Sequence, residues 1–128
     1  MLMVKKLLSV SLLGLLLAGC STGISNLTPN HETRNADGFY RVEAALHSSE
    51  QTLRWNSIKP SVLVGKDVFT MQNTTLMTNR WETLIPAPAG SKIIYYRFKF
   101  DFNYNAFGSP PKMNSKLSPT YRLEITDK

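Results

Sequence analysis

The sequence predicts an all-β protein, a single antiparallel β-sandwich over residues 38–128. Three observations predict it. Apolar and polar residues alternate strictly over the twelve positions Ile93–Tyr104, the period of a strand with one buried face. Turn-forming residues divide the region into about seven short strands in roughly 90 residues, the spacing of two packed antiparallel sheets. No long helical period follows residue 19.

The first strand follows the turn-like Asn35-Ala36-Asp37-Gly38. Tyr40, Val42, Ala44 and Leu46 alternate with Arg41, Glu43 and Ala45, although Glu43, Ala44, Ala45 and Leu46 also suit a helix. A second run carries Leu53 and Trp55 and continues through Ile58 to Pro60, whose missing N–H points to a sheet edge or a break. Val62, Leu63 and Val64 enter the turn Gly65-Lys66-Asp67, and Val68, Phe69 and Met71 form the return. Residues 74–85 combine β-branched Thr with Leu76, Trp81, Leu84 and Ile85, and Pro86-Ala87-Pro88-Ala89-Gly90 ends that run.

In the longest strand Ile94, Tyr96, Phe98, Phe100, Phe102 and Tyr104 fall on one face. Ile93, Tyr95, Arg97, Lys99, Asp101 and Asn103 fall on the other. Asn105–Pro119 reads as a fifteen-residue connection to a last strand, where Tyr121, Leu123 and Ile125 alternate with Arg122, Glu124 and Thr126. These two strands are expected to pair with their apolar faces on the same side. The architecture resembles immunoglobulin-like and fibronectin-like sandwiches, without the Cys-Trp-Cys core of antibody domains; a small closed barrel is the competing architecture.

The amino terminus has a different character. Lys5 and Lys6 precede an apolar run from Leu7 to Ala18, twelve residues with no polar face. A membrane-spanning helix needs roughly 20 apolar residues, so this run suits the core of a secretion signal. Leu17-Ala18-Gly19-Cys20 closes the run and polar Ser21-Thr22 follows. These residues resemble the lipobox of bacterial lipoproteins. The resemblance covers residues 1–22 and implies diacylglyceryl thioether formation at Cys20. It also implies cleavage between Gly19 and Cys20, with Leu17, Ala18 and Gly19 recognised by the signal peptidase, and N-acylation of the new amino terminus. One acyl chain binds a membrane marginally and two or more hold stably, so such a cysteine serves as an anchor. Ser21 stands where an Asp retains some lipoproteins in the inner membrane, which favours the outer membrane of the cell envelope.

The expected organisation is therefore a signal peptide over 1–19, a lipidated, flexible tether over 20–37 and the sandwich over 38–128. The tether assignment rests on Ser, Thr, Asn, Gly and Pro, with Ile24 and Leu27 isolated among them. Cleavage leaves 109 residues, one ordinary domain. With thirteen basic and nine acidic residues its net charge is +4, and the basic residues are spread singly from Arg34 to Lys128 rather than clustered as a nucleic-acid footprint requires. A lone cysteine leaves no intrachain disulfide, so the fold must rest on its apolar core.

Candidate sites are few. The aromatic row 94–104 would be a ligand platform if exposed, but its evenly polar opposite face argues for core. Burying each such side chain contributes on the order of 1.5–3 kcal/mol. Trp55 and Trp81 are read as core residues. Tyr95, on the polar face, is an exposed candidate. The connection 105–119 is long for a structureless loop, and Phe107 and Met113 within it are, with Tyr95, the candidate partner-binding residues.

Enzymatic chemistry finds little support. His31 falls in the tether and His47 beside Ser48 and Ser49 at a strand end, and adjacency alone supplies no catalytic geometry. Two histidines and one lipid-committed cysteine do not suffice for a structural zinc site. Asp67, Glu82, Asp101, Glu124 and Asp127 occur singly, unlike a calcium loop. The expectation is a non-enzymatic, lipid-anchored envelope protein without cofactor, metal or nucleic acid, binding another envelope component, most readily a protein. The alternative is a module binding a glycan or small apolar ligand through exposed aromatics.

Overall fold

The computed structural model describes residues 22–127. The signal segment, with Leu17, Ala18, Gly19 and Cys20, lies outside the described residues. The strands are β1 (Thr22–Asn26), β2 (His31–Thr33), β3 (Phe39–Ser48), β4 (Lys59–Val64), β5 (Asp67–Thr70), β6 (Gln72–Asn73), β7 (Arg80–Pro86), β8 (Ile93–Ala106), β9 (Ser109–Leu117) and β10 (Tyr121–Thr126).

Among the described residues they form two sheets, one ordered β1-β3-β7-β6 and the other β2-β10-β8-β4-β5, with β9 also on β8. The chain is an all-β sandwich of the immunoglobulin-like, two-sheet kind expected from the sequence. Pairing is antiparallel except for β2, which runs parallel to β10.

The alternating strands bury the faces their sequences offer. Tyr40, Val42, Ala44 and Leu46 of β3 and Trp81 and Ile85 of β7 meet the β8 row from Ile94 to Phe102, with Leu123 and Ile125 of β10. Trp81 packs edge-on to Phe100, ring centroids 5.4 Å apart, joining the two sheets. Strand wins over helix in 39–48 because alternation places these four apolar residues on one buried face. The β4–β5 turn is a two-residue loop, with Val64 opposite Asp67 and Gly65 at φ +59°, as a type II′ hairpin requires. Pro60 lies near the start of β4, an interior strand rather than an edge; its carbonyl accepts the Met71 N–H at 3.1 Å.

Two expectations are corrected. The first is the tether over 20–37. Thr22–Asn26 pairs with Ser48–Ala44, and His31–Thr33 pairs with Glu124–Thr126. An edge strand satisfies its backbone on one side and needs little apolar surface, so a Ser/Thr/Asn-rich segment can serve. Polar side chains complete β1's docking: the Thr22 and Ser48 hydroxyls are 2.8 Å apart, and Asn26 Nδ2 donates to the Tyr96 hydroxyl at 2.9 Å. The buried Thr28 hydroxyl donates to the Glu43 carbonyl at 3.2 Å and accepts the Glu43 N–H at 3.0 Å.

The second correction is the connection 105–119. β8 runs on to Ala106, the chain turns at Phe107-Gly108 with Gly108 at φ +70°, and β9 returns along β8 from Ser109 to Leu117. β9 and β10 lie along the same side of β8, opposite β4, and are divided at Ser118. The buried Ser118 hydroxyl accepts the Phe98 N–H at 2.7 Å, keeping that backbone group satisfied across the break.

Candidate functional site

β9 is exposed at every one of its nine positions. Its register places Lys116, Asn114 and Lys112 opposite the inward-facing Phe100, Phe102 and Tyr104. Leu117, Ser115 and Met113 therefore stand on the outer face, opposite Lys99, Asp101 and Asn103. Ser115 donates a short hydrogen bond to Asp101, and Lys99 Nζ lies 3.7 Å from the same carboxylate. No strand pairs with the outer edge of β9 among the described residues. Two consecutive prolines, 110 and 111, and the inward lysines 112 and 116 are devices that discourage indiscriminate edge pairing.

The three candidate partner residues are separated by the fold. Phe107 is fully exposed at the β8–β9 tip, and Met113 is exposed on the outer face. Tyr95 is exposed on that face too, but near the other end of β8, opposite Arg122 of β10. Leu117, unremarked in the sequence because it falls within the supposed loop, is 47% exposed between them.

A second apolar cluster occupies one end of the sandwich. Trp55 opens a short 3-10 turn, Trp55–Ser57, and is 43% exposed, which corrects its assignment to the core. The turn is tied to β8 by Arg54 N–H to Asn103 O at 3.0 Å, so Leu53, two residues earlier, takes the buried position against Tyr104. Trp81 is buried as expected. A groove of about 510 Å³ on one side of Trp55 is lined by Gly23, His47, Ser48 and Asn79. A depression of about 560 Å³ on its other side is lined by 73–78, where Leu76 is 98% exposed and Met77 is also exposed.

Leu76 has φ +65°, a left-handed backbone that costs a non-glycine residue about 1–2 kcal/mol. Sequence reasoning had absorbed Leu76 into a strand; the signal available was an apolar pair set between Thr74-Thr75 and Thr78-Asn79.

The histidines are apart. His31 on β2 lies 3.2 Å from Glu124 on the surface, an ion pair only when the imidazole is protonated. His47 lines the Trp55 groove, but the Ser48 hydroxyl beside it engages Thr22 and the Glu50 N–H. Among the described residues no three His, Cys, Asp or Glu side chains converge as metal ligands. The Asp127 carboxyl is perturbed. The Arg34 guanidinium holds it below the usual carboxylate range through a 2.6 Å hydrogen bond and its charge, assisted by Lys92.

No family model matches the chain, and no curated protein matches it in sequence. Among solved structures, a DUF4785 family protein from Legionella pneumophila is similar over 81% of this chain, at 12% identity and a TM-score of 0.43. The chain spans 28% of that protein. Murine CRIg is similar over 83% of this chain and 98% of its own, at 11% identity and a TM-score of 0.41. Neither likeness bears on what this chain does.

Proposed function

We propose that the protein is a non-enzymatic lipoprotein of the bacterial envelope, anchored through acyl groups on Cys20, whose sandwich binds another envelope protein through the β8–β9 hairpin. The outer membrane is the favoured location, on the strength of Ser21. The observation that carries the binding reading is β9: an exposed strand, unpaired on its outer edge among the described residues, with Met113 and Leu117 on its outer face. Such an edge suits strand addition, in which main-chain hydrogen bonds supply affinity and alternate side chains supply selectivity. Lys112 and Lys116, with no acid on β9, favour an acidic partner segment.

The test is a cross-linked pull-down of the lipidated protein from its own envelope, read by mass spectrometry. A partner captured by the wild type and lost with Met113→Asp and Leu117→Asp, at unchanged thermal stability, supports the reading. Loss of capture only in step with unfolding counts against it.

The glycan or small-ligand alternative now draws on Trp55 beside its groove, since the aromatic row from Tyr96 to Phe102 is core. A glycan array with Trp55→Ala as control tests it.

A further inference from the structure

The first described strand, β1, begins two residues after Cys20. Ser21 alone separates Cys20 from Thr22, the first residue of β1. Two peptide units span at most about 7 Å. Thr22 pairs with Ser48, so an anchor at Cys20 would join the chain at the end of the sandwich where β3 finishes.

That end carries the Trp55 cluster. Gly23, His47, Ser48 and Trp55 line one groove, and the 73–78 turn adjoins Trp55. The C-terminal end of β8 arrives at the same place, through Asn105 N–H to Thr52 O at 2.8 Å and the bridge between Leu53 and Tyr104. β8 then continues to the Phe107 tip. Trp55, Leu76, Met77 and Phe107 thus present exposed apolar side chains at the end where Thr22 begins β1. Arg54 and Lys112 are exposed beside them. At the opposite end the exposed apolar residues include Phe39, Val68 and Ile93.

Resting on the proposal that Cys20 is acylated, we propose that this end of the sandwich docks on the lipid bilayer itself. Trp55, Leu76, Met77 and Phe107 enter the headgroup region, and Arg54 and Lys112 face anionic headgroups. An indole is suited to that depth because its ring is apolar and its N–H remains hydrogen-bonded. The strained backbone at Leu76 holds an aliphatic side chain outward, where water gives it no return and lipid does. Docking fixes the domain's orientation, standing it on the membrane by its anchored end.

The experiment uses the full protein extracted from membranes, with Cys20 acylation verified by metabolic palmitate labelling, in vesicles of phosphatidylethanolamine and phosphatidylglycerol. Brominated acyl chains report lipid contact by quenching indole emission. Trp81 is buried, so the difference between the wild type and Trp55→Phe isolates Trp55. The expected result is a blue-shifted Trp55 emission quenched severalfold, with the quenching reduced by Leu76→Asn, which the left-handed backbone accepts. An acylated protein whose Trp55 stays unquenched overturns the docking and leaves the anchor standing. An unlabelled chain overturns the anchor and the docking with it. Trp55 protected in whole envelopes but unquenched in pure lipid overturns the bilayer as occupant in favour of a protein.

Discussion

Thr22 and Ser48 face each other across β1 and β3 with their hydroxyls 2.8 Å apart, which fixes the start of the described chain to the end of a core strand. The proposed anchor site lies two residues upstream. A lipid on Cys20 would therefore hold the sandwich against the membrane rather than on a leash. Replacing Cys20 by Ala is expected to release the protein from the membrane fraction while leaving the melting temperature of the sandwich unchanged. Fractionation and thermal unfolding of the two forms check it.

Thr28→Val removes a buried hydroxyl of nearly equal volume that both accepts from and donates to the Glu43 backbone. The Glu43 carbonyl keeps the Leu27 N–H at 2.9 Å, so the loss is that of the Glu43 N–H partner, expected to cost about 1–3 kcal/mol. Urea unfolding of the variant measures the loss, and faster amide exchange along β1 would place it there.

Leu76→Gly relieves the left-handed backbone at an exposed turn. Against the entropy that glycine adds to the unfolded chain, the net expectation is a gain of about 0.5–1 kcal/mol. Chemical denaturation tests this, and a loss of stability would mean that Leu76 makes contacts its exposure does not suggest.

Asp127 gives a pH prediction. Its carboxyl is held low in the folded chain, first by the Arg34 hydrogen bond and then by the Arg34 charge. A depressed folded pKa contributes stability above the ordinary carboxylate range, lost as pH falls through the folded value. Arg34→Gln is expected to return the Asp127 titration toward the ordinary aspartate value of 3.8. NMR titration of the side-chain carboxyl reads it. The same arginine closes the β2–β10 end, its N–H reaching Thr126 O at 2.8 Å and its Nη2 reaching Ser91 O at 3.0 Å.

Met113→Asp and Leu117→Asp alter side chains on the exposed β9. Their stability is expected to stay within about 0.5 kcal/mol of wild type, while partner capture falls. Thermal unfolding run beside the pull-down separates the two effects.

The parts of the fold legible in sequence are those whose burial imposes a period. β8 alternates because its inward row from Ile94 to Phe102 is buried against the facing sheet, and β10 follows in the same register through Leu123 opposite Ile94. The β4–β5 hairpin was marked by Gly65. What sequence reasoning missed is held by backbone and polar contacts instead. β1 and β2 lie at sheet edges with Ile24 as their one large apolar residue, so their composition reads as linker. β9 buries nothing, and Pro110-Pro111 hides its pairing behind turn chemistry.

The two tryptophans show the limit at the site. Trp81 sits in the alternation of β7 and is core, whereas Trp55 belongs to a 3-10 turn whose inward position is taken by Leu53. The motif proposed to anchor the chain is a reading from sequence alone, because its chemistry is local in sequence. The apolar end of the sandwich was not legible, because Trp55, Leu76 and Phe107 come to one end only through three separate connections, β3–β4, β6–β7 and β8–β9.

The most direct measurement is tandem mass spectrometry of the amino-terminal peptide of the protein extracted from its own membranes. A chain that begins at Cys20 and carries diacylglyceryl and N-acyl groups is the expected result. A chain that retains residues 1–19, or begins elsewhere without lipid, would contradict the anchored sandwich proposed for this protein.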